Sequence, residues 1–244
     1  HLVLRLCGGK PVILFYPAGG GEEGKETPFE MTLQLPSKFC KLSSVWPAPT
    51  HTHKDSHFDS LTWSGDVKPG GEMSIAGSSS SASYIFYEFD IDPKADESRV
   101  LTAFNPLDIN ASESSCVFAV ASDQVVSFVD KALAILNLTT KERTDMITYW
   151  LPHLNQAAKE APAVKVQFLF ERYDKALPLI VSPKPDVSLR LFMIFCPCNV
   201  DDNHFDDLSA LSTGACGIQQ HALPLNRSGK SILLEWGGSS VFTH

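Results

Sequence analysis

The sequence has no uninterrupted apolar run of about 18 residues, the length that a membrane-spanning helix requires. It also has no cluster of lysine and arginine, and its formal net charge of −8 leaves no broad positive field for binding phosphate backbones. Six cysteines among 244 residues are too sparse for a disulfide scaffold. These absences argue against a membrane span and against nucleic acid as a partner, and they favour buried free thiols.

Recognisable catalytic motifs are absent too. The chain contains no internal repeat, no G-x-S-x-G nucleophile elbow and no signal-peptide pattern. We therefore expect a cytoplasmic protein, but three N-x-S/T sequons, at Asn110, Asn137 and Asn226, together with the six cysteines leave secretion open. The sequence thus supports predictions of the fold and of candidate sites, and it names no reaction.

Two stretches show the spacing of an amphipathic helix. Ser122 or Asp123 is suited to cap the first helix, because either side chain can accept a hydrogen bond from the amides of the first turn. Thr139 followed by Glu142 forms a capping-box pattern at the start of the second helix. Pro152 lacks an amide hydrogen and predicts a kink or an end near that position.

Most other apolar segments alternate with a period of two or are short apolar runs, as strands do. The most hydrophobic is Val187–Phe195, which predicts a central strand. A pair of helices with apolar faces needs a sheet to cover. We therefore predict an α+β fold, a mainly antiparallel β-sheet assembly with one helical hairpin, residues 123–154, packed on it.

A group of three histidines, at His51, His53 and His57, lies in a polar segment. In a strand, His51 and His53 would share a face, and His57 could approach from the following loop. With Asp55 or Asp59 they would suit zinc or copper, although their spacing matches no known signature. The alternative is three solvated histidines, and no cofactor is required by the sequence.

Cys196 and Cys198 flank a proline after the most hydrophobic segment, so in an extended chain both thiols would share a face. They could bind a soft metal or take part in redox chemistry. Zinc sites normally use wider cysteine spacing. The alternative is a strand that leaves the sheet and enters a loop.

Two carboxylates are candidates for acid chemistry. Glu88 alternates with aromatic residues in SYIFYEFD, and an apolar setting would raise the pKa of such a carboxyl group. Glu235 lies in the closing EWGG segment. If both carboxylates converged in one cleft, a hydrolase would be favoured. The alternative for Glu88 is a strand-end glutamate in water or in an ion pair.

Three aromatic residues, Trp46, Trp63 and Tyr87, could form surface contacts with a ligand, the alternative being ordinary core packing. We therefore expect a non-catalytic binding or interaction domain with a protein or carbohydrate ligand. The second hypothesis is a hydrolase, metal-dependent through the histidines or based on the carboxylates. A third is an inert cargo that a fused partner helps to fold or express.

The first nine residues, HLVLRLCGG, resemble the last strand and tail of ubiquitin, with Cys7 in the place of an arginine. This resemblance implies a ubiquitin-fusion precursor, with a remnant of the ubiquitin-like tail at 1–9 and a single α+β domain at 10–244. Cleavage by deubiquitinating proteases would follow the Gly8–Gly9 pair. Cys7 and the nearby Pro11 argue against efficient recognition of this tail.

A broader resemblance spans nearly the whole domain. The segments KPVILFYP, SYIFYE, ITYWLP, SPKPDVSLRLFM and LLEWGG are similar to a fungal and bacterial family with the pattern KPVIYLYP, YLFWE, YWLP, PKPD and EWGG. In the fungal members ubiquitin precedes this domain. The chain differs at Tyr87, where the family tends to have tryptophan. The resemblance implies an architecture but supplies no mechanism.

Overall fold

The structure is a computed structural model that describes residues 6–18, 26–91, 116–199, 206–207, 209–211 and 217–240. The strands are β1 Leu6–Tyr16, β2 Thr27–Pro36, β3 Cys40–Trp46, β4 His51–Lys54, β5 Phe58–Val67, β6 Met73–Ile75, β7 Ser81–Ala82, β8 Ile85–Ile91, β9 Cys116–Ala121, β10 Ala163–Leu169, β11 Leu179–Ser182, β12 Val187–Cys198 and β13 Ile232–Ser240. The helices are α1 Val125–Ile135, α2 Thr140–Glu160 and α3 Glu171–Ala176, with a 3-10 helix at Ile218–His221.

The strands form two sheets. The seven-stranded sheet has the order β3-β8-β1-β13-β12-β10-β9, and the six-stranded sheet has the order β11-β2-β5-β6-β7, with β4 paired to β5. Neighbouring strands are antiparallel except β12 and β13, which run parallel. The predicted α+β class with mainly antiparallel sheets is confirmed.

The seven-stranded sheet is the middle layer, and its two faces contribute to separate cores. In β1, Val12 and Leu14 pack with the helices α1 and α2, whereas Ile13 and Phe15 pack with the six-stranded sheet. Side chains of a strand alternate between faces, so a strand covered on both sides is apolar throughout. This explains the continuous apolar run VILF.

The six-stranded sheet has one covered face. In β2, the buried residues Phe29, Met31 and Leu33 alternate with the more exposed Glu30 and Thr32. Such alternation is typical of an antiparallel sheet with one solvated face. The second sheet therefore covers the middle layer and presents its other face to water.

The helices differ in detail from the prediction. The capping box of Thr139 and Glu142 is confirmed, but α1 is capped by Gln124 without a side-chain hydrogen bond, so the predicted caps Ser122 and Asp123 are wrong. The helix α2 does not end at Pro152 and continues to Glu160. Burial of Leu154 and Ala157 on the helix offsets the loss of one amide donor.

The helix α3 was not predicted, so one pair of helices does not account for all the helical structure. Its residues Tyr173 and Ala176 are buried on the other side of the middle layer, with the six-stranded sheet. The next strand, β11, begins only after this helix, at Leu179. A helix of six residues offers too few apolar positions for its period to be read from the sequence.

Candidate functional site

A charged cluster lies between the two sheets, on β8, β12, β13 and α3. The carboxylate of Glu235 accepts hydrogen bonds at Oε1 from the hydroxyls of Tyr87, at 2.5 Å, and Tyr173, at 2.6 Å. The guanidinium of Arg190 donates to its Oε2 at 2.5 Å. The register places Arg190 beside Glu235 on the parallel strands β12 and β13. We name these four residues the buried cluster.

Further contacts hold the guanidinium of Arg190 in place. It donates to the carbonyl oxygen of Leu177 at 2.7 Å, forms an ion pair with Asp174 at 3.2 Å and lies 4.8 Å from the centre of the Tyr173 ring. Its side chain is 4% exposed, and that of Glu235 is 0% exposed. Burial of two opposite charges is tolerated only when they are paired and hydrogen-bonded in this way.

The electrostatic environment keeps the cluster in one protonation pattern. Burial, followed by the negative charge of Glu235, raises the pKa of Tyr87 and of Tyr173 well above the ordinary value. Burial opposes the charge of Arg190, but Glu235 and the two tyrosines together outweigh burial, so the pKa of Arg190 is raised. Both tyrosines therefore remain protonated donors and the arginine remains a cation. Since all four side chains are buried, the cluster is a structural core feature.

Glu88 lies on the opposite face of the same sheet. It follows Tyr87 in β8, so the two side chains point to different sides. Tyr87 packs between the sheets, whereas Phe86 packs on the helix side, and Glu88 shares the face of Phe86. The structure therefore separates Glu88 from Glu235 by the thickness of the sheet and does not bring the two predicted carboxylates into one cleft.

An aromatic surface surrounds Glu88 at the β3 edge of the sheet. Trp46 of β3 lies directly opposite Phe86 of β8, and Ser44 lies opposite Glu88. Residues that are opposite in an antiparallel pair share a face, with Cβ atoms about 5 Å apart. Trp46 is 49% exposed, and the other three are partly exposed. These four residues are named the aromatic face.

Tyr149 of α2 lies on the helix side of the sheet, as Phe86 does. Partial burial and, second, the charge of Glu88 raise the pKa of Tyr149, which places its hydroxyl in the electrostatic range of that carboxylate. The ring of Tyr149 packs edge-on against Trp150, at 5.0 Å between centroids. A tyrosine that packs against a buried tryptophan therefore lies within the electrostatic range of Glu88.

The other two predicted aromatic contacts are core residues. Trp63 is 0% exposed and donates its indole hydrogen to the carbonyl oxygen of Pro47 at 2.9 Å. Tyr87 is 0% exposed and belongs to the buried cluster. Of the three residues predicted to contact a ligand, only Trp46 is at the surface.

The three histidines lie at the surface near one end of the six-stranded sheet. His51 and His53 lie in β4, opposite Thr62 and Ser60 of β5, and His57 lies in the turn between these strands; all three are exposed. The carboxylate of Asp55 accepts a hydrogen bond from the backbone amide of His57 at 2.6 Å and so stabilises the turn. Within the described parts of the chain, no group of three histidine, cysteine or acidic residues could hold a metal ion.

Cys196 and Cys198 lie within β12, paired with Lys165 and Ala163, so the strand does not end before them as predicted. Both are free thiols. Burial, then Cys198, raises the pKa of Cys196 to about 11. A thiol that remains protonated at neutral pH is a poor nucleophile and a poor metal ligand.

The prediction of free thiols holds for these two cysteines and for Cys40 but is wrong for Cys116, which is disulfide-bonded. Burial raises the pKa of Cys40 to about 12. The partner of Cys116 could not be read from the sequence, because cysteine spacing does not fix pairing. The side chains of Cys7 and Cys216 lie outside the described residues.

Four of the segments singled out in the sequence, KPVILFYP, ITYWLP, SPKPDVSLRLFM and LLEWGG, meet at one point of the middle layer. Gly9 pairs with Gly238, and the ring of Trp150 lies over both. A Cβ atom added to Gly238 would lie 2.8 Å from that ring and 2.5 Å from the carbonyl oxygen of Met193. One added to Gly237 would lie 3.0 Å from Pro11. Close packing therefore accounts for glycine in EWGG.

Sequence reasoning missed several residues of both features. Arg190 was included only as part of an apolar segment. Tyr173 was not assigned to any helix or strand. The lone arginine within VSLRLFMIF was the available signal, since a charge inside a central strand needs a partner. Ser44 and Tyr149 had no signal, because only strand pairing and helix packing bring them beside Glu88.

Two grooves in the described parts of the chain are lined by none of the predicted site residues. An open groove of about 540 Å³ between α1 and α2 is lined by Val126 and Ile147, and also by Arg143 and Asp130, which form an ion pair at 3.3 Å. No helix in the described ranges is long and apolar enough to cross a membrane. Comparison with known proteins found no matching family model, no matching curated protein and no matching solved structure.

Proposed function

We propose that this chain is a non-catalytic binding domain and that its ligand is a neutral carbohydrate chain bound on the aromatic face. The observation that supports this most is the pairing of Trp46, 49% exposed, with Phe86 on the adjacent strand. A half-exposed tryptophan next to a second aromatic ring exposes ring surface that core packing alone does not require.

The chemistry of the face matches a sugar. The faces of aromatic rings are electron-rich and attract the weakly positive C–H groups of a pyranose. The carboxylate of Glu88 accepts hydrogen bonds from hydroxyl groups, and the hydroxyl of Ser44 both donates and accepts. An aromatic pair next to a polar pair thus offers both kinds of contact that a sugar ring needs.

The shape of the face favours an extended ligand. Along β3 and β8, the pairs Lys41–Asp90, Ser44–Glu88 and Trp46–Phe86 follow each other on one side. Since a strand rises about 3.3 Å per residue, they span about 15 Å. A row of this length suits several consecutive sugar units better than one small molecule.

Charge and strand geometry favour carbohydrate over other ligands. Glu88 and Asp90 would repel an anionic ligand, in keeping with the net charge of −8. A peptide could add to the outer edge of β3, but this edge strand carries Lys41 and a register shift between Leu42 and Ser44. Edge strands use such charges and bulges to prevent pairing with other chains.

The separation of the predicted carboxylates supports binding without catalysis. Glycoside hydrolysis uses two carboxyl groups on either side of the scissile bond. Glu235 is 0% exposed and lies on the far face of the sheet from Glu88. The aromatic face is also open, so it would not exclude water from a reacting bond.

The test is retention on neutral polysaccharides: soluble xylan, mannan and mixed-linkage glucan by affinity electrophoresis, and cellulose and chitin by pull-down. We expect one of these to retain the protein. We expect Trp46→Ala to weaken binding by at least about tenfold, or ~1.4 kcal/mol. The matched control is Ile180→Ala, which removes a 58% exposed apolar side chain from the other sheet and leaves binding unchanged.

Two results would contradict the proposal. One is that no polysaccharide is retained, and the other is that Trp46→Ala and Ile180→Ala bind equally well. Reducing ends are measured in the same samples. If the protein releases reducing ends and Glu88→Gln does not, the protein is a hydrolase and not a non-catalytic binding domain.

A further inference from the structure

Residues 6–9, the end of the segment that resembles the ubiquitin tail, are part of the domain's middle layer. The strand β1 runs without a break from Leu6 to Tyr16, so the predicted boundary between Gly9 and Lys10 lies inside one strand. In the sheet order, β1 has β8 on one side and β13 on the other. The boundary is therefore in a central strand.

The tail residues are paired along this strand. On the β8 side, Leu6 lies opposite Ile91, Cys7 opposite Asp90 and Gly8 opposite Phe89. On the β13 side, Gly9 lies opposite Gly238. The register shifts before Val12 on both sides, and regular pairing then resumes. Gly8 and Gly9, which precede the Gly9–Lys10 bond, and Val12, which follows it by two residues, are thus held by neighbouring strands.

A tryptophan covers this position as well. A Cβ atom added to Gly9 would lie 3.0 Å from the Trp150 ring, and that ring belongs to the core between α2 and the sheet. Gly9 and Gly238 together leave the space in which the ring sits. Access to the backbone at Gly9 from this side therefore requires displacement of a buried tryptophan of α2.

We propose that folding of the domain shields the Gly9–Lys10 bond from proteases that cleave after a Gly-Gly tail, so that the ubiquitin-like part and the domain stay in one chain. A protease binds its substrate as an extended, unpaired segment. To free residues 6–10, β1 must leave both neighbouring strands and Trp150 must move. Opening a central strand has a free-energy cost that approaches that of global unfolding.

The first measurement is amide hydrogen exchange of residues 6–10 in the intact chain. We expect the amides of Gly8 and Gly9 to exchange as slowly as those of β13, because both belong to the same central part of the sheet. Exchange of Gly8 and Gly9 at the rate of an unstructured peptide would overturn the proposal. The measurement depends neither on a protease nor on a carbohydrate ligand.

The second measurement is cleavage by a deubiquitinating cysteine protease of a fusion in which residues 1–9 complete a full ubiquitin. The matched control is a fusion with ubiquitin's own tail and a flexible Gly/Ser linker inserted before Leu6. The control presents a free Gly-Gly site and keeps β1 intact. Cleavage products are identified by mass spectrometry.

We expect the inserted site to be cut and the Gly9–Lys10 bond to be cut at least about 100-fold more slowly, since cleavage follows the population of the open state. In urea near the unfolding midpoint, with a protease that remains active, the difference between the two cleavage rates should become smaller, because the unfolded state is then populated. Cleavage of both sites at equal rates in the folded protein would contradict shielding.

Discussion

Tyr87 and Glu88 are neighbours in the chain, yet they belong to features of opposite kinds. Tyr87 is 0% exposed and donates to Glu235 inside the buried cluster. Glu88, on the other face of β8, is partly exposed beside Phe86 and Trp46. Each face combines aromatic rings with a carboxylate. Access to solvent, which residue type does not reveal, separates a core feature from a candidate binding surface.

The two faces also differ in how much stability is lost when a polar side-chain group is removed. In the buried cluster every charge has partners, and removal of Glu235 leaves the buried Arg190 with only the partly exposed Asp174 as a charge partner. On the aromatic face, water replaces any lost hydrogen bond, so the cost to folding is small. Substitutions on the inner face should therefore affect stability, and those on the outer face should affect ligand binding.

The largest effect is expected for Glu235→Ala. This change leaves Arg190 charged and buried, and we expect the free energy of unfolding to fall by about 3–5 kcal/mol. Urea unfolding followed by circular dichroism measures this. The matched control is Glu88→Ala, for which we expect a change within about 0.5 kcal/mol. Equal losses for both variants would contradict the distinction between the faces.

A smaller loss is expected for Gly238→Ala, which tests the packing of Trp150 on the helix side. The new methyl group would meet the Met193 carbonyl oxygen, and we expect a loss of about 1–3 kcal/mol. Gly70→Ala is the control, because no atom lies within 4 Å of its added Cβ. If both variants have the stability of the original protein, the proposed close packing is refuted.

The third prediction concerns alkaline pH. The pKa values of Tyr87 and Tyr173 are raised in the folded state, so both tyrosines lose protons more easily when unfolded. Their stabilising contribution is complete below about pH 10, the ordinary tyrosine pKa, and is lost as pH rises above it, by up to about 1.4 kcal/mol per pH unit and per tyrosine.

The double variant Tyr87→Phe/Tyr173→Phe should be less stable at pH 8 and should show a shallower decline between pH 10 and 11. Urea unfolding at each pH provides the comparison. Cys40, whose pKa is raised to about 12, contributes a similar decline in both proteins and cancels in the difference. An unchanged slope would show that the hydroxyls of these tyrosines do not govern the alkaline response.

The smallest effect is expected for Glu88→Gln. It removes a charge from the aromatic face and keeps the shape of the side chain, so we expect polysaccharide affinity to fall by about 0.5–1.5 kcal/mol. The stability should not change. Isothermal titration with the soluble polysaccharide that the protein retains gives the affinity. A loss of stability without a loss of affinity would place Glu88 among the structural residues.

Much of the fold could be predicted because periodicity reports local burial. The segments CVFAVA and FEMTLQL alternate or are apolar as strands require, and they form β9 and most of β2. The Thr139–Glu142 box marked the start of α2 because capping depends on residues only three positions apart. The short helix α3 was missed, since its burial depends on distant strands.

The candidate site was less predictable. Trp46, Trp63 and Tyr87 have the same apolar character in the sequence, yet only Trp46 is at the surface. Glu88 and Glu235 were equally plausible acids until the sheet separated them. Trp63 and Tyr87 are enclosed because the six-stranded sheet covers the seven-stranded one, and this contact joins segments far apart in the chain.

By itself, the sequence determined the periodic elements, the capping box and the acidic net charge. It also determined the alternation that points the side chains of Tyr87 and Glu88 to opposite faces of β8. Tertiary structure decided which face of β8 is closed, that Arg190 meets Glu235, and that the Gly8–Gly9 tail lies in a central strand. The physical reason is that hydrogen bonding and side-chain period act within a few residues. Burial and charge pairing depend on which distant strands become neighbours.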